Sequence, residues 1–91
     1  MYPPLGYNIG DKVKYLVKPD DGFERTVISI EEYNKLGRVT SGQSNADYGH
    51  VLVRKDGGHY GTEVGTRPAR DYEVIQPVFI PVFAGDSGWR A

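Results

Sequence analysis

Short apolar segments recur along this chain at intervals of roughly ten positions and are set apart by turn-forming residues, the rhythm of short strands in an all-β domain. The breaks are "PDDGF" at Pro19–Phe23, "SGQSNADYG" at Ser41–Gly49, "KDGG" at Lys55–Gly58 and "GTRP" at Gly65–Pro68. Each has a mechanism. Proline presets φ, Asp21-Gly22 offers the positive φ of a tight turn, and Asp56-Gly57 is a preferred central pair of a type I′ hairpin. Between such breaks there is room for a strand, or for a helix of about one and a half turns.

The intervening segments read accordingly. In "IGDKVKYLVK", Ile9, Val13, Tyr15 and Val17 share one parity and Lys12, Lys14 and Lys18 the other, with Leu16 the exception. That alternation is a strand with one wet face. "ERTVISI" is rich in β-branched residues and gives a second strand. "SIEEYNKLG" changes period: Ser29 and Glu32 fit a capping box and Gly37 a C-terminal stop, so residues 30–36 form either a short helix or a continuation of the strand. "GRVT" reads as a brief strand and Ser41–Gly49 as a polar loop. Val51–Val53 is an apolar strand core. With Asp56-Gly57 at the turn and Lys55 and Gly58 flanking it, residues 59–64 return antiparallel. Tyr72–Ile75 is a last short strand.

A chain of 91 residues makes one domain with a modest core. Residues 1–8, with two prolines, read as an extended arm, 9–77 as the β domain, and 78–91 as an apolar tail. Eleven Lys and Arg against twelve Asp and Glu leave a formal charge of −1, which removes the argument from a basic domain for nucleic acid while allowing a local patch. With no cysteine, disulfides and thiolate zinc sites are excluded. No basic n-region with an apolar h-region opens the chain, and no run approaches the ~20 apolar residues of a membrane span, so a soluble cytoplasmic protein is expected.

"IGDKVKYLV", "LGRV", "HVLVRKDGG" and "DYEVIQP", in that order, resemble the strand succession of SH3-like small barrels. The resemblance covers about residues 9–77 and implies a mainly β fold, an antiparallel barrel of about five strands with one short helix near 30–36. The long connection from Pro19 to Leu36 and the apolar tail depart from that pattern. No segment like "ALYDY" is present, so the peptide site of signalling SH3 domains does not carry over.

Candidate chemistry is sparse. The double glycine at 57–58 is followed by β-type residues rather than a helix, which favours a hairpin over an anion cradle. His50 and His59 are the only histidines and lie apart on that hairpin, so no metal or cofactor is expected. The serines show no nucleophile elbow, and the pairs Asp20-Asp21 and Glu31-Glu32 are explained by turn and helix start, so no enzyme is expected. What remains is a surface of Tyr48, Arg54, Lys55, His59, Tyr60, Arg67 and Arg70, a composition suited to a protein partner. The same cations and rings suit single-stranded nucleic acid as an alternative. In "QPVFIPVF", Phe79, Ile80 and Phe83 have apolar neighbours on both sides. The segment either caps the domain or forms an interface, with a homo-oligomer or a larger assembly as the third reading.

Overall fold

The computed structural model describes residues 2–56 and 63–78. It is mainly β, with strands β1 (Lys12–Tyr15), β2 (Glu24–Val27), β3 (His50–Asp56), β4 (Glu63–Pro68) and β5 (Tyr72–Gln76). Two helices, α1 (Ile30–Gly37) and α2 (Gly42–Asp47), lie between β2 and β3, and a single 3-10 turn, Ala69–Asp71, precedes β5. All pairings are antiparallel, in the order β4-β3-β2-β1-β5. β4 and β5 are the edges of this open sheet. No β4–β5 pairing closes it into a barrel among the described residues.

β1 is shorter than its alternation predicts. Gly10 takes φ +99°, and the buried Asp11 carboxylate accepts the Asn8 N–H at 2.9 Å, so the chain is still turning where Ile9 was expected to start the strand. Beyond β1, Asp21 accepts the Phe23 N–H at 3.0 Å and Gly22 sits at φ +84°, the turn foreseen from Pro19–Phe23.

The helix at 30–36 forms. Ser29 caps it by accepting the Glu32 N–H at 3.0 Å. The left-handed residue at its end is Arg38 (φ 55°) rather than Gly37. Gly37 is needed for space, since a Cβ there would lie 3.1 Å from Val64 Cγ2. That exit consumes Gly37–Thr40, and the strand expected there is absent.

Ser41–Gly49, expected to be a loop, holds α2 instead. The helix buries only Gly42 and Ala46, one turn apart. The Asn34 side chain accepts the Gly42 N–H at 2.9 Å, and Gln43 bonds Asp47 at 2.9 Å. Tertiary capping by α1, not apolar periodicity, holds it.

The register also corrects the hairpin. Lys55 pairs with Glu63, whereas a two-residue turn on Asp56-Gly57 would pair it with Gly58. Asp56 is a strand residue opposite Glu24, its carboxylate engaged by Lys12 (3.5 Å), Arg54 (3.2 Å) and Thr26 (3.3 Å). These bonds outweigh its turn preference.

Val51, Leu52 and Val53 are all buried, because β3 is covered on both sides. Leu52 packs with Ile28 and Tyr33 under α1. Val51 and Val53 pack with Val13, Val27 and Tyr72 on the opposite face. The N-terminal arm straddles the two clusters. Tyr2 joins the first and donates to the Ile28 carbonyl. Tyr7 joins the second and shares its proton between the carbonyls of Tyr72 (2.6 Å) and Ala69 (2.7 Å).

Candidate functional site

Cross-strand pairing dictates which side chains share a face, because directly opposed residues point the same way. Lys55 of β3 faces Glu63 of β4 and Arg25 of β2, and Arg25 in turn faces Val13 of β1. On the same side Tyr15 of β1 opposes Tyr72 of β5. This face, away from the helices, is strongly curled. Arg67 of β4 and Tyr72 of β5 line one groove although they come from the two edge strands, which a flat sheet would set about 19 Å apart.

The groove encloses about 550 Å³. The Tyr15 and Tyr72 rings lie 5.5 Å apart, and the guanidinium carbons of Arg25 and Arg67 sit 4.9 and 5.6 Å from the Tyr15 ring centre. Lys55 Nζ stands 5.0 Å from the Phe23 ring. The three cation-to-ring distances are within the range of a cation–π contact. Lys18, Arg25, Lys55 and Arg67 supply cations to the lining against the single carboxylate of Asp21. Gly65 leaves the groove open: a Cβ there would meet nothing within 4 Å.

The cations differ in how far they are committed. Arg25 is buried, and it grips both carboxylate oxygens of Asp21, at 3.2 Å from Nη1 and closely from Nη2. Those hydrogen bonds hold the Asp21 carboxyl below its ordinary range, burial opposing them in part. Lys55 pairs with Glu63 at 3.2 Å. Arg67 has only a loose 3.8 Å approach to Asp71, and half of its side chain is exposed. Burial pushes the Tyr72 hydroxyl up to about 12, so that phenol stays neutral.

The structure joins two of the expected contact residues, Lys55 and Arg67, in this groove. Arg54 is elsewhere: it lies under α1, its guanidinium held by Glu32 (3.0 Å) and Asp56 (3.2 Å). Neither Tyr48, 80% exposed at the end of α2, nor the exposed Arg70 of the 3-10 turn lines the groove. His59, Tyr60, Phe79, Ile80 and Phe83 lie outside the described residues. His50 bonds Thr66 Oγ1 at 2.8 Å through Nδ1 on the helix side. Among the described residues, no three His, Asp or Glu side chains converge as a metal ion needs, and no helix is long and apolar enough to cross a membrane.

Sequence reasoning missed Tyr15, Phe23, Arg25 and Tyr72 as site residues. A signal for one existed: Arg25 shares the parity of Val27, which points it inward. No family profile matches the chain, and no curated protein or solved structure matches it.

Proposed function

We propose that this chain is a non-catalytic, SH3-like interaction module that binds another protein through the curled face of its sheet. The observation that carries this reading is the groove itself, where two arginines and a lysine are stacked on tyrosine and phenylalanine rings around an open floor at Gly65. Arginine and tyrosine held in fixed geometry bury much area for little lost side-chain freedom, which is how hot spots at protein interfaces are built. The return of β5 to pair with β1 agrees with the SH3-like reading of the fold.

Single-stranded nucleic acid is the competing ligand for cations beside rings. Two features count against it. Arg54, which that reading needs, is turned to the other face and neutralised by two carboxylates. The Tyr15 and Phe23 rings already carry cations over them, which leaves less free aromatic surface for a base to stack on.

The test is affinity capture from host lysate with the wild-type chain and a Gly65→Val variant side by side. Valine suits a strand, and its Cβ has open space, so the variant should fold while its side chain fills the groove. Protein partners held by the wild type and lost by the variant are the expected result. Partners retained equally by both, or recovery of nucleic acid alone, would refute the reading.

A further inference from the structure

Resting on that reading, we infer that Arg67 forms an anion subsite in the groove and that the partner presents an acidic, extended segment to it. The inference comes from comparing the cations. Arg25 has both of its terminal nitrogens on Asp21 and is buried, so it braces the Tyr15 ring and has no fork to offer. Lys55 is shared with Glu63. Arg67 donates no hydrogen bond among the described residues, lies half exposed, and is kept at the groove by its packing over Tyr15.

A guanidinium held by a ring on one side and free at its edge is prepared for bidentate capture of a carboxylate. Asp71, at 3.8 Å, is then an internal stand-in that an incoming carboxylate displaces. Four cations of the lining stand against Asp21 within it and Glu63 and Asp71 beside it, which leaves the groove net positive and favours an acidic partner over a basic one. The floor between Tyr15, Phe23 and Tyr72 takes an apolar side chain beside the acid. β4, which lines the groove, is an edge strand among the described residues, and an extended peptide segment can add along such an edge.

Selection of a random dodecapeptide display library on the intact chain tests this. Enriched sequences should carry Asp or Glu next to an apolar residue. The best of them, made as a free peptide, should bind more weakly as salt rises. Arg67→Gln should weaken it by roughly ten- to hundred-fold, the worth of a charge-assisted hydrogen-bonded pair. Asp71→Asn, which removes the internal competitor, should tighten it about two-fold or more; a merely structural role for the pair would not move affinity in that direction. Circular dichroism confirms that each variant folds.

Enrichment of neutral or basic peptides that Gly65→Val still excludes would overturn the acidic inference while leaving protein binding in place. Failure to enrich any peptide, with oligothymidine bound instead, would overturn both. Equal affinity of the wild type and Arg67→Gln for an acidic peptide would remove Arg67 from the subsite.

Discussion

The Arg25–Asp21 pair offers the sharpest test of how the curled face is held together. Arg25 is 6% exposed, and both ends of its guanidinium fork rest on one carboxylate. Removing Asp21 strands a buried charge whose remaining support is the Tyr15 ring. Breaking a buried pair in this way costs about 3–5 kcal/mol. The ring and the nearby solvent offset part of that, so Asp21→Ala should lose about 3 kcal/mol. For a domain of this size the whole stability is about 5–14 kcal/mol, and the loss corresponds to a fall in melting temperature on the order of 12–24 °C. Replacing both partners by apolar or neutral groups of similar shape, Arg25→Met with Asp21→Asn, should recover most of it. Urea unfolding followed by circular dichroism measures each corner of the cycle. The pH dependence has a definite sign. Asp21 titrates below its ordinary 3.8, so its contribution is complete above that value and is lost as pH falls through the lower folded value. The gap between wild type and Asp21→Ala should therefore persist at neutral and mildly acidic pH and close in strong acid. Additive effects under ~0.5 kcal/mol at neutral pH would show that the guanidinium is solvated and that the groove wall is not built on this pair.

Two further outcomes concern the arm and the strand ends. Gly10→Ala should destabilise by about 2–4 kcal/mol, because φ +99° costs an L-residue about 1–3 kcal/mol and a Cβ there would lie 2.8 Å from Val78 Cγ2. Denaturant titration in wild-type and Val78→Gly backgrounds separates the two causes, and an equal loss in both would leave backbone strain alone. Tyr2 and Tyr72 are both pushed up to about 12 by burial, so their contribution is complete below pH 10 and is lost as pH rises from there through the folded value of about 12. Phenolate absorbance should show a late-titrating class that coincides with alkaline loss of circular dichroism, and Tyr72→Phe should move that loss upward. Ionisation of every tyrosine near pH 10 with the fold intact would contradict it.

Features set by contacts within a few residues were readable from the chain. Ser29 caps α1 through the Glu32 N–H, and Asp21-Gly22 turns β1 into β2, both local bonds with local signatures. Features set by distant partners were not. α2 owes its existence to a side-chain oxygen of Asn34 and to two small residues pressed on neighbouring elements, none of which produces a hydrophobic period. Asp56 reads as a turn residue until Lys12, Arg54 and Thr26 arrive from other segments to hold it in a strand. The candidate site was half legible for a related reason. Lys55 and Arg67 stood out as cations beside rings, but which rings depends on a curvature that brings edge strands β4 and β5 to one groove.

That curvature also explains how a chain of near-zero net charge can present a charged binding face. On the face that carries α1 the sheet presents Lys12 and Arg54, each matched by carboxylates from Glu24, Glu32 and Asp56. On the curled face Arg25 is paired with Asp21 and Lys55 with Glu63, but Arg67 rests on the Tyr15 ring with only a 3.8 Å approach to Asp71, and a ring holds a positive charge in place without cancelling it. Strand parity sorts the two faces, because a residue and its neighbour point to opposite sides: Arg54 meets Glu32 on the α1 side while Lys55, the next residue, reaches the groove. A one-residue slip of β3 would exchange them, putting Arg54 over Phe23 and Lys55 against Glu32. Register, then, sets the electrostatics of this face, and the burial of Val51 and Val53 on one side with Leu52 on the other is what fixes the register.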